Sequence, residues 1–61
     1  MNIFSGSQPA KQFAETESKK NKSELYVIKS MSGGINYSVR NSGEIKAGEK
    51  LLAHYKNGEV Q

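Results

Sequence analysis

The residues able to do acid–base, nucleophilic or metal chemistry are few in this sequence. His54 is the one histidine, and there is no cysteine, so a zinc site lacks ligands. The six acidic residues are scattered, which excludes a calcium loop. No serine lies in a Gly-x-Ser-x-Gly elbow. We therefore predict a protein that is not an enzyme, with no metal, no cofactor and no small-molecule substrate.

Two groups of residues are candidates for nucleic-acid binding. Lys19, Lys20 and Lys22 form a short basic cluster of the kind that contacts phosphates. Tyr37 and Arg40 would belong to a stacking platform with a basic flank. Each group also has a simpler interpretation. The lysines could be ordinary solvated surface charges, and Tyr37 could pack in the core. The net charge of +3 is small for a dedicated nucleic-acid binder.

These candidates depend on how the N-terminal part of the chain is built. Residues 1–23 are polar and mildly basic, and residues 5–23 contain one large apolar residue, Phe13. Such a segment cannot bury enough apolar area to offset its ordering, which predicts a flexible or weakly helical arm. The tip of the arm is apolar, and we interpret it as a loose end or as an anchor: Met1, Ile3 and Phe4.

Residues 24–41 predict a β-hairpin. The run LYVIKSM is rich in β-branched and aromatic residues, and INYSVR alternates apolar and polar positions. Gly33-Gly34 supplies the turn and lacks the Lys-Ser/Thr of a phosphate-binding loop. A two-residue loop would pair Ile28 with Val39. A three-residue loop would pair Val27 with Val39, and we favour it because it gathers more apolar area.

Either register leaves apolar side chains on the second face of the first strand. A hairpin with one solvated face has no need of them, so we expect a partner to cover this face. The predicted partner-binding residues all lie on this strand or at its end: Leu25, Tyr26, Val27, Ile28 and Met31.

Residues 42–61 allow two interpretations. In the favoured one, Lys50–Tyr55 is a strand that Asn57-Gly58 turns into Glu59–Gln61. In the other, residues 47–56 form a helix with Leu51, Leu52 and Tyr55 on one side. The predicted fold is therefore mainly β: a small meander or barrel of three or four antiparallel strands in residues 24–61, behind the arm. The alternative is α+β, a hairpin packed on one C-terminal helix.

A chain of 61 residues forms one domain and buries only about 60% of its unfolded surface. Disulfide and metal are excluded as supports, which leaves contact with another macromolecule. We expect a small adaptor or inhibitor that docks onto a partner protein, or onto itself as a homodimer. The alternatives are a nucleic-acid-binding regulator and a minor structural part of a larger assembly. The size suits an accessory protein of a bacterium or phage.

No segment reads as a signal peptide or approaches the roughly 20 apolar residues of a membrane span. We expect a cytoplasmic protein with no membrane partner, since the absence of cysteine is compatible with that compartment.

Overall fold

The computed structural model describes residues 2–31 and 33–61. Within these residues, five strands form one open antiparallel sheet in the order β1-β3-β2-β4-β5, and a single helix covers one of its faces. The elements in chain order are β1 (Asn2–Phe4), α1 (Ser7–Asn21), β2 (Glu24–Ser30), β3 (Asn36–Arg40), β4 (Glu49–Lys56) and β5 (Glu59–Val60). The prediction of a mainly β fold is confirmed, with five strands in an open sheet instead of three or four, and the segment expected to be flexible or weakly helical contains α1.

The helix α1 is held by a stripe of small residues rather than large apolar ones. Ala10, Ala14 and Ser18 recur every four residues, and all three are fully buried. Small side chains at this spacing allow the helix to approach the sheet closely. The helix-side core consists of five buried residues: Ala10, Ala14, Val27, Val39 and Tyr55. The polar segment is therefore an integral part of the core and not a separate arm.

The start of the chain also belongs to the sheet. Residues 2–4 form β1, in which Ile3 lies opposite Ser38 and Phe4 opposite Tyr37. The Phe4 ring packs against Phe13 of α1, with 5.5 Å between the ring centroids. The interpretation of this tip as a loose end is corrected for Ile3 and Phe4, while Met1 lies outside the described residues.

The hairpin has the register that the three-residue loop predicted. Val27 lies opposite Val39, and Lys29 lies opposite Tyr37. Leu25, Val27 and Val39 consequently share the face that α1 covers. Ser32, the first residue of the predicted loop, lies outside the described residues.

The strand interpretation of the C-terminal part is confirmed, with one irregularity. Asn57 and Gly58 both have positive φ, at 54° and 85°, as a tight hairpin turn between β4 and β5 requires. Val27 pairs with Ala53 whereas Ile28 pairs with Leu51, so Leu52 is an extra residue that forms a β-bulge in β4. The bulge reverses the side-chain directions of the first three residues of β4.

Residues 41–48 connect β3 to β4 and cross the sheet. Both strands flank β2 and run antiparallel to it, so this connection must pass over β2. It does so on the face opposite α1, where Gly43 lies against the ring of Tyr26. We call the face covered by α1, together with α1 itself, the helix side, and the other face with residues 41–48 the crossing side.

Candidate functional site

An ion pair closes the crossing side of the sheet. Arg40 on β3 and Glu49 on β4 form a two-pronged salt bridge, with 3.0 Å between Nη1 and Oε1. Because β2 lies between these strands, the pair crosses β2 diagonally, from the row of Tyr26 to the row of Ser30, with Ile28 between them. The Ile28 side chain is completely buried, although it points away from the helix. The chain itself therefore covers the apolar residue that we expected a partner to cover.

The same ion pair fixes the charge states of its members. The Arg40 guanidinium, together with the backbone N–H of Lys46, lowers the pKa of Glu49 to about 2. The carboxylate in turn raises the pKa of Arg40 above its ordinary value. Arg40 and Glu49 consequently remain charged and paired at neutral pH, which leaves neither free to hold a ligand.

An aromatic stack occupies the rest of the crossing side. The rings of Tyr26 and His54 lie 4.2 Å apart and nearly parallel, at 10°. A Cβ on Gly43 would lie 2.9 Å from Tyr26 Cε2, so the crossing segment needs glycine there. Glu24 lies 3.9 Å from His54 Nε2 and 3.7 Å from Lys56 Nζ. His54 is half-buried, and its neighbours give it a packing role.

These contacts change the status of the predicted partner-binding residues. Val27 and Ile28 have no exposed surface, so they cannot touch a partner in this fold. Leu25 packs against the helix-side core, and Tyr26 is half-buried in its stack with His54. Met31, beyond the end of β2, is 57% exposed and is the one member of the set that remains on the surface.

The helix side has the opposite character, because it carries unpaired lysines. Lys29 and Lys50 lie directly opposite one another on β2 and β4. They share the face of Val27 and Tyr37, which pack towards α1. No acidic residue among those described lies within salt-bridge distance of either lysine. Like charges in directly opposite positions destabilise a sheet, so the charges of this pair do not help to hold the fold together.

The helix contributes the other lysines of this side. Lys11 and Lys19 lie four residues on either side of Glu15, on one flank of α1. This flank lies over β4, where burial and then the charge of Glu15 raise the pKa of Tyr55. The Lys19 side chain also packs against Gly58, where an added Cβ would lie only 2.7 Å away.

The two sides of the sheet carry opposite net charges. The helix side carries six lysines and two glutamates, a net charge of +4: Lys11, Lys19, Lys20, Lys22, Lys29 and Lys50 with Glu15 and Glu17. The crossing side carries three basic and four acidic residues, a net charge of −1: Arg40, Lys46 and Lys56 with Glu24, Glu44, Glu49 and Glu59. We call the six lysines of the helix side the basic face.

The bulge at Leu52 produces part of this separation. In a regular strand, Lys50 would share the face of His54, and Glu49 would share the face of Tyr55. The bulge exchanges them, so Lys50 joins Lys29 on the helix side and Glu49 meets Arg40 on the crossing side. The modest total charge of the sequence gives no sign of this sorting.

The predicted nucleic-acid residues are therefore divided between two surfaces. Lys19, Lys20 and Lys22 lie at the end of α1 and belong to the basic face. Tyr37 packs against the helix-side core, and Arg40 is paired with Glu49 on the opposite face. The predicted Tyr–Arg stacking platform is not assembled, because residues 37 and 40 point to opposite faces of β3. Sequence reasoning missed Lys11 and Lys50.

Other polar features of the described residues are minor. A cleft of about 230 Å³ is lined by Arg40, Ser42, Glu44 and Lys46, and its Arg40 is already paired with Glu49. No group of three or more His, Asp or Glu side chains within residues 2–31 and 33–61 is placed to hold a metal ion. In the same residues, no helix is long and apolar enough to cross a membrane.

Comparison with protein-family models, with curated proteins and with solved structures found no match for this chain.

Proposed function

We propose that this protein binds nucleic acid through the basic face. The observation that carries the proposal is the separation of charge, +4 on the helix side against −1 on the crossing side. A one-sided excess of lysine is the electrostatic footprint of a protein that neutralises phosphates. The ion pairs of the crossing side strengthen this contrast, because they neutralise Arg40 and Lys56 on that side.

The ligand groups would be the phosphates of the backbone rather than the bases. Phe4, Phe13 and Tyr37 are packed into the helix-side core, and Tyr55 is buried. The exposed surface of α1 therefore presents lysine without an aromatic platform on which bases stack. Phosphate contacts position a protein without reading sequence, so the proposed binding is independent of sequence.

A membrane surface fits the basic face less well. Helices that lie on anionic membranes bury large apolar residues between the acyl chains. The exposed residues of α1 are polar or proline, and none is a large hydrophobic residue. The 15-residue helix is about 22 Å long, which matches about six base pairs of a duplex. Binding to nucleic acid would also suit a protein of the cytoplasm.

Two double variants with the same total charge test the proposal. Lys29→Gln/Lys50→Gln removes two charges from the helix side, and Lys46→Gln/Lys56→Gln removes two from the crossing side. We expect the first to weaken binding to a 12-base-pair duplex about tenfold or more at about 50 mM salt, and to reduce the salt slope by about 2. Fluorescence anisotropy of a labelled duplex measures both quantities.

The matched control distinguishes binding by the basic face from a general effect of total charge on binding. We expect Lys46→Gln/Lys56→Gln to bind within about twofold of the original chain. Equal losses in the two variants would overturn the proposal, as would binding to anionic vesicles but not to the duplex. The Lys29→Gln/Lys50→Gln chain should not be less stable, since the change relieves a like-charge pair.

A further inference from the structure

We propose that two copies of this chain associate through the outer edge of β4. In the described part of the chain, no strand lies beside this edge from Glu49 to Ala53. β5 covers only the end of β4, where it pairs with Tyr55 and Lys56. The last backbone bond on this side joins Gln61 N to His54 O, at 2.7 Å. Among the remaining five residues, Glu49 N–H already bonds Lys46 O, at 3.0 Å, and the other outward N–H and C=O groups have no strand to bond.

A second copy is the occupant that fits such an edge. An antiparallel pair of identical edges is self-complementary about a twofold axis, since each donor on one copy meets an acceptor on the other. The edge has no proline, and Leu51 lies between the two features that limit pairing there, Lys50 and the bulge at Leu52. β1 at the other end of the sheet has only three residues and offers a shorter ladder.

The side chains of this edge supply an apolar contact. Leu51 is 42% exposed on the crossing side, next to the buried Ile28. Pairing centred on Leu51 brings the two Leu51 side chains together, and burying them adds to the backbone bonds. Five residues of edge are a small interface, so the expected dissociation constant lies in the micromolar range, about 10–100 µM.

The twofold axis of an antiparallel pair is perpendicular to the sheet, so both helices lie on the same face of the joined sheet. Two basic faces would then form one continuous surface of net charge +8, given +4 for each copy. Lys50 lies on the edge itself, and its repulsion opposes pairing at low salt. Salt should therefore strengthen this association, whereas it weakens phosphate binding.

Sedimentation velocity without nucleic acid tests the association independently of the proposed function. At about 0.5 M salt, where the Debye length is about 4 Å, we expect the chain to dimerise as its concentration rises from about 5 to 500 µM. Leu51→Lys should raise the dissociation constant about tenfold or more. Ile3→Lys is the matched control, because Ile3 is on the same face at the opposite edge and is 64% exposed.

A chain that stays monomeric at about 500 µM overturns the inference, as does a dimer that Ile3→Lys disrupts and Leu51→Lys does not. Hydrogen exchange of the original chain provides a readout that does not depend on either variant folding. Backbone amides within residues 49–53 that face away from β2, above all that of Leu51, should gain protection as the concentration rises. Protection that is independent of concentration in these residues would contradict the proposed interface.

Discussion

At the scale of single residues, Arg40 and Glu49 cover the apolar face of β2 that the helix does not reach. β2 carries apolar side chains on both faces, and the small helix can cover only one of them. The salt bridge passes over Ile28 on the second face. Glu49 Oε1 also accepts a hydrogen bond from the backbone N–H of Lys46, at 3.0 Å. A polar pair thus shields an apolar residue and fixes the crossing segment at the same time.

The lowered pKa of Glu49 makes this contact sensitive to acid. The pKa in the folded chain is about 2 and the ordinary value is 4.5, so the pair contributes its full stability above about pH 4.5. That contribution is lost as the pH falls through about 2. We expect the difference in unfolding free energy between the original chain and Glu49→Gln to shrink as the pH falls from 4.5 to 2. Urea unfolding at several pH values measures it.

Glu44→Gln is the control for this experiment, since Glu44 is exposed in the same crossing segment. Its effect should be small at every pH between about 2 and 7. A Glu49→Gln chain that matches the original in stability at neutral pH would contradict the role given to the ion pair.

At the scale of elements, periodicity predicted the strands well and the helix poorly. The alternation of Ile35–Arg40 and the Asn57-Gly58 turn are local signals, and both correspond to observed structure. The stripe of Ala10, Ala14 and Ser18 gives no apolar periodicity in the sequence, because small residues carry little hydrophobicity. The bulge at Leu52 and the crossing of residues 41–48 depend on long-range pairing, which a local pattern does not encode.

The close packing of α1 predicts that it tolerates no larger side chain on its buried stripe. Ala14→Leu should lower the unfolding free energy by about 1–3 kcal/mol, because Ala14 is completely buried against the sheet. Gln12→Leu, on the exposed side of the same helix, should change it by about 0.5 kcal/mol or less. Urea unfolding of both variants checks this, and equal effects would show that the stripe is not packed as described.

At the scale of the whole molecule, the net charge distinguishes the two sides. The sequence suggested a hairpin face waiting for a partner, and the fold covers that face with its own residues. Lys19, Lys20 and Lys22 were identifiable from their clustering in sequence. Lys29 and Lys50 are 21 positions apart and meet only through the pairing of β2 with β4, so composition could not reveal the basic face.

The salt dependence of duplex binding by the original chain tests the central claim most directly. With about four net phosphate contacts, the logarithm of the binding constant should fall with the logarithm of salt concentration at a slope of about −3.6. Anisotropy of a 12-base-pair duplex, titrated between about 25 and 200 mM salt, measures this slope. Steep weakening of this kind, similar for unrelated duplex sequences, is the predicted result. Absence of binding at about 50 mM salt, or binding that salt does not weaken, would contradict the assignment of the basic face to nucleic acid.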